Sequence, residues 1–115
     1  MGLSIKRLES LALRELAILL RTDAKNQKLS NITVTEVRIT NDLSFMTIYF
    51  TFYQGKVENY LEALESCKGY IRSELAKKLK ARKMPQLIFK HDTALEYGNH
   101  INELLASVNK NTNQE

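Results

Sequence analysis

The chain has a single cysteine, Cys67, a single proline, Pro85, and no tryptophan. One cysteine excludes an intrachain disulfide, and nothing else points to an oxidising compartment. No apolar run approaches the roughly 20 residues that a membrane-spanning helix requires. The start, Met1-Gly2-Leu3-Ser4-Ile5-Lys6, lacks the apolar stretch and cleavage site of a secretory signal. Gly2 makes no myristoylation site, because Lys6 stands where Ser or Thr is needed. Glycine is sparse too: four residues, at 2, 55, 69 and 98, form neither a phosphate loop nor a dinucleotide fingerprint. These absences predict a cytoplasmic protein with no membrane partner, no cofactor and no small-molecule substrate.

The 115 residues have room for one domain, whose core needs no disulfide or metal to hold it. Hydrophobic residues make up 43% and charged residues 26%, as in an ordinary folded domain. The net charge of +4 is unevenly spread. Residues 1–66 balance eight basic groups against eight acidic ones. Residues 67–90 set Lys68, Arg72, Lys77, Lys78, Lys80, Arg82, Lys83 and Lys90 against Glu74 alone. A block of this kind attracts polyanions, although a solvated helix face would carry the same charge run.

Hydrophobic spacing predicts the elements. Residues 4–22 read as an amphipathic helix with Ser4 as N-cap and Ile5, Leu8, Ala12, Leu16 and Leu19 on one face. The polar run from Thr22 to Asn31 reads as a loop. Ile32-Thr33-Val34 and Val37-Arg38-Ile39 alternate with a phase slip, which a β-bulge near Thr35-Glu36 would absorb. Asn41-Asp42 supplies a turn. The strand from Leu43 to Tyr53 then alternates, placing Met46, Ile48, Phe50 and Phe52 inward. Residues 57–83 read as helix through Leu61, Leu64, Cys67, Ile71, Leu75 and Leu79, with a bend expected at Gly69. Met84-Pro85 stops it. Gln86 to Asp92 reads as a third strand with Leu87 and Phe89 inward. A last helix follows to about Val108, with capping-box spacing in Thr93-Ala94-Leu95-Glu96. The expected domain spans 1–108, and the polar residues 109–115 read as a disordered tail.

Four stretches stand out in order: the first helix with Arg14-Glu15-Leu16, then Val34 to Ser44 with its Asn41-Asp42-Leu43-Ser44 turn, Lys68-Gly69-Tyr70-Ile71-Arg72-Ser73-Glu74-Leu75, and Met84-Pro85-Gln86-Leu87-Ile88-Phe89. Together they resemble the ribosome-binding factor A family. The resemblance implies a type II KH-like α+β domain: α-β-β-α-kink-α-β-α, with helices packed on a three-stranded sheet. The family's Ala-x-Gly kink takes the place of the GxxG loop with which KH domains clamp a backbone. Here it reads Cys67-Lys68-Gly69, with a cysteine small enough to keep the kink. The family's Asp-x-Ser reads Asp92-Thr93-Ala94, where Thr93 can take the capping role. What the resemblance implies is a monomeric, non-enzymatic factor. It would bind the immature small ribosomal subunit, aid maturation of small-subunit rRNA near its 5-prime end, and leave before translation begins.

With that resemblance, the basic block becomes the candidate RNA surface. Lys77 and Lys80 lead, expected opposite the Ile71, Leu75 and Leu79 stripe; Arg72, Lys78 and Lys83 flank them, and Lys68 lies beside the kink. Lys6 and Arg7 would extend the surface from the first helix. Such contacts give affinity and salt dependence without reading sequence. Phe45, Tyr49 and Tyr53 on the second face of the middle strand would suit base stacking, yet aromatics so placed more often pack against a neighbour. His91, Glu96 and His100 fall short of a convergent zinc set. Cys67 lies on an apolar stripe with no activating histidine evident. The competing class is a protein–protein adaptor using the first helix or the aromatic sheet face; salt separates the two, because phosphate contacts weaken steeply with ionic strength.

Overall fold

Ser4 opens the first helix as its spacing predicts: its hydroxyl accepts the backbone N–H of Arg7 at 3.2 Å and its carbonyl that of Leu8 at 2.9 Å. The computed structural model describes residues 4–22, 27–81 and 83–93. Helix α1, Ile5–Thr22, buries Leu8, Ala12, Leu16 and Leu20. The deepest stripe thus runs through Leu20, with Leu19 and Ile5 half-buried beside it. The polar stretch after α1 is not all loop. Gln27–Asn31 forms a short 3₁₀ helix whose Leu29 is fully buried.

Strand β1, Ile32–Ile39, runs antiparallel to β2, Phe45–Phe52, and β2 runs parallel to β3, Gln86–His91, in the order β1-β2-β3. The register shifts between Val34 and Glu36, so Thr35 is the bulged residue and Ile32, Val34, Val37 and Ile39 all face the core. Met46, Ile48 and Phe50 are buried beside them, as are Leu87 and Phe89 of β3. Phe52 is only half-buried; its ring stacks on Tyr60 at 4.3 Å between centroids.

A parallel neighbour needs a long crossover, and two helices supply it: α2, Val57–Ser66, and α3, Lys68–Leu79. The expected α-kink-α order is therefore present as two helices joined at the kink. The break falls at Cys67, at φ −101° and ψ 3°, and not at Gly69. A Cβ built on Gly69 would meet nothing within 4 Å, so neither close approach nor backbone demand places glycine there. The pair also ends earlier than residue 83. Lys80 caps α3 in the left-handed conformation at φ 52°, donating its N–H to Ala76 at 3.0 Å. α1 packs on β1 and α3, and α2 packs on β3 and the 3₁₀ helix. The helix expected after Thr93, with Glu96 and His100, and the tail at 109–115 lie outside the described residues.

Candidate ribosome-binding surface

The basic block of the sequence folds onto α3 and the segment leading to β3, but its members are not equivalent. Arg72 is half-buried. Its Nε donates to the Pro85 carbonyl at 2.9 Å, and a terminal guanidinium nitrogen donates to Met84. The side chain thus ties α3 to the start of β3, using part of its donor fork inside the fold. Lys68 pairs with Glu65 at 2.9 Å, one turn back, and its ammonium lies 5.8 Å from the centroid of the Phe89 ring. Lys77 is exposed and bridges to Glu74 at 3.1 Å. Lys78 is exposed at the edge of a small groove between α1 and α3, shared with Glu15, Ile18, Leu19, Thr22, Glu74 and Leu75.

Lys77 lies in the last turn of α3, and Lys80, three residues on, is its left-handed C-cap and not a further helical residue. Both are nonetheless exposed at the C-terminal end of α3, where the helix dipole favours cations. Lys83 is exposed, with its Nζ 3.5 Å from the Asp42 carbonyl, which brings the β1–β2 turn beside this end of the helix. That turn is rigidly made. Asp42 accepts from the Thr40 hydroxyl at 2.8 Å and the Ser44 N–H at 3.0 Å, and Leu43 sits at φ 61°. The hydrogen bonds from Thr40 and Ser44, helped by the nearby charge of Lys83, hold the Asp42 carboxyl below its ordinary pKa.

Lys6 and Arg7 are exposed on α1. Glu9, one turn on, faces the sheet instead; its carboxylate accepts the N–H of Ile39 at 2.8 Å, satisfying a donor of strand β1. Arg38 is held by Glu36 on the open face of the sheet. On that same face Phe45 is 43% exposed, while Tyr49 is half-buried. Tyr53, past the strand end, is 93% exposed. Cys67 is half-buried, and its sulfur lies 3.9 Å from the Ser66 hydroxyl. Among the described residues, no three His, Cys, Asp or Glu side chains gather as a metal site. His91 stacks on Phe52 at 5.0 Å. No helix among the described residues is long and apolar enough to cross a membrane.

Residues 4–105 match the family model for ribosome-binding factor A. The chain belongs to the ribosome-binding factor A family. Ribosome-binding factor A of Phytoplasma mali is 44% identical over 114 residues, covering 96% of this chain and 100% of the relative. That of Lactobacillus gasseri is 42% identical over 92% of this chain and 89% of its own length. The fold agrees as well. The crystal structure of ribosome-binding factor A from Thermus thermophilus superposes with a TM-score of 0.70 at 26% identity, covering 77% of this chain and 97% of that one. A homology model of the Thermus thermophilus factor, fitted into a cryo-EM map of a 30S complex with that factor, superposes with a TM-score of 0.58 at 25% identity. It covers 77% of this chain and 91% of its own. The two-helix crossover with its break at Cys67 is thus a member's version of the family fold.

Proposed function

We propose that this chain binds the immature small ribosomal subunit and assists maturation of small-subunit rRNA near its 5-prime end, acting by binding and shape with no chemistry of its own. The supporting observation is the family match over residues 4–105, joined to a basic, exposed end of α3. Lys77, Lys78, Lys80 and Lys83 are the principal phosphate contacts in this reading, with Lys68, Lys6 and Arg7 extending them. Arg72 contributes chiefly by fixing α3 against β3, and through its spare donors. The contacts are to backbone, so they confer affinity and not base recognition. Binding one conformation of the maturing rRNA shifts the population toward it. The factor works in the cytoplasm as a monomer, with residues 1–108 as the binding domain and 109–115 as a tail.

Co-sedimentation with isolated small subunits tests this, with a Lys77→Glu/Lys80→Glu variant run in parallel at low and high salt. The expected result is salt-sensitive binding that the variant loses, by about tenfold or more for two charge reversals. Wild-type protein that fails to pellet with the subunits at either salt would contradict the function. Undiminished binding by the variant would move the contact away from α3.

A further inference from the structure

We infer that the outer face of α1 is a second phosphate-contact surface, on which Arg7, Arg14 and Arg21 grip the backbone of double-helical RNA. The inference rests on the ribosome-binding reading above and extends the contact given there to Arg7 along the whole of α1, to Arg14 and Arg21. The three arginines recur every seventh residue. In an α-helix that spacing drifts by only about 20° per step, so the three stack in one row. The row lies opposite the buried stripe of Leu8, Ala12, Leu16 and Leu20 and points straight into solvent; all three residues are exposed.

Three features turn this row toward a polyphosphate. First, the guanidinium groups are unspent. Among the described residues, none of the three makes a side-chain hydrogen bond or ion pair, whereas Lys68, Arg72 and Lys77 of α3 are all engaged. Second, the acids of α1 are turned elsewhere. Glu9 accepts from Ile39 of the sheet, and Glu15 lies in the groove beside Lys78. No carboxylate therefore shares the arginine row. Third, the row is rigid and evenly stepped. Its arginines are about 10 Å apart along the axis, at 1.5 Å of rise per residue.

The same observations select the partner. α1 contains no aromatic side chain, so the row offers no platform for unstacked bases. A straight rod of arginines instead suits a duplex, which proteins recognise by shape and by phosphate and 2′-hydroxyl contacts. A lipid surface is the poorer fit, since Leu8, Ala12, Leu16 and Leu20 are spent in the core and Ile18 is the one large apolar side chain of α1 left exposed. The sequence carries the signal in its heptad spacing of arginine, which a count of charge by segment conceals, because residues 1–66 balance to zero overall.

The test uses full-length protein, a blunt hairpin RNA duplex of about 20 base pairs (longer than the roughly 16 base pairs a double-stranded RNA module spans), and isolated small subunits. An Arg7→Gln/Arg14→Gln/Arg21→Gln variant keeps good helix formers at every position, and circular dichroism checks its fold. The expected result is weaker binding to both partners, with the log–log salt dependence flattened by about two to three units, close to one for each phosphate that is no longer neutralised. A single Arg14→Gln variant should flatten the slope by about a third of that amount. Duplex affinity and slope unchanged in the triple variant would overturn the inference, even if subunit binding fell, since a ribosomal protein would then be the partner. Wild-type binding to duplex without binding to subunits would leave the arginine row standing and remove the ribosomal reading instead.

Discussion

Gly55 and Gly69 are the two glycines at which the sequence invites a structural explanation, and their surroundings differ. Gly55 adopts φ +113°, and a Cβ there would fall 3.1 Å from Cε2 of Tyr60. Tyr60 has little freedom to retreat: its hydroxyl donates to the Gln54 carbonyl at 2.7 Å and its ring stacks on Phe52. Gly55→Ala is therefore expected to destabilise the fold by about 1–3 kcal/mol. Gly69→Ala meets open space in a helix and should leave stability unchanged or raise it by up to about 1 kcal/mol. Urea denaturation of the two variants checks both signs. An equal loss in both would contradict the placement of the break at Cys67. Helical period alone flags Gly69 as out of place in a helix; the family resemblance sets the kink at Cys67-Lys68-Gly69, and the break falls at the first of these residues.

Between elements, polar side chains tie neighbouring segments together. Arg72 joins α3 to the Met84-Pro85 segment that starts β3. Arg72→Ala should cost about 1.5–3 kcal/mol, the range for hydrogen bonds to a charged group, with Arg72→Lys only partly restoring it, because an ammonium lacks the planar fork. A melting curve distinguishes this from a pure binding defect, which would leave the midpoint unmoved. The turn joining β1 to β2 is expected to respond to pH. Its Asp42 has a folded pKa lowered by the Thr40 and Ser44 hydrogen bonds. The stabilisation is thus present above the ordinary aspartate value of 3.8 and is lost as pH falls through the lowered folded value. Asp42→Ala should be less stable than wild type at neutral pH, with the gap closing in acid; a gap that widens in acid would contradict the assignment.

These elements were legible to unequal degrees. The bulge at Thr35 showed in the phase slip between Val34 and Val37, because strand period is rigid enough to record one extra residue. The end of α3 did not show. Lys80-Ala81-Arg82-Lys83 has no glycine or proline to stop a helix, and only the left-handed backbone at Lys80 reveals the exit. The buried Leu29 was likewise masked by its polar neighbours, since one apolar residue carries no period. Hydrogen bonds such as Glu9 to Ile39 connect residues 30 positions apart, and no local pattern announces them.

At the scale of the molecule, one layer of helices carries an exposed basic surface: Lys77 and Lys78 on α3, Lys80 at its end, and the arginine row of α1 packed alongside. The opposite sheet face offers Phe45 with a tied Arg38. The central claim is that this helical layer holds the small ribosomal subunit by neutralising phosphates. The measurement that tests it most directly is the affinity of wild-type protein for isolated small subunits across a salt series. The predicted log–log slope is steeper than about −3, as expected when several phosphate contacts are made together. Tight binding with a flat salt response would contradict the claim and favour an apolar protein contact.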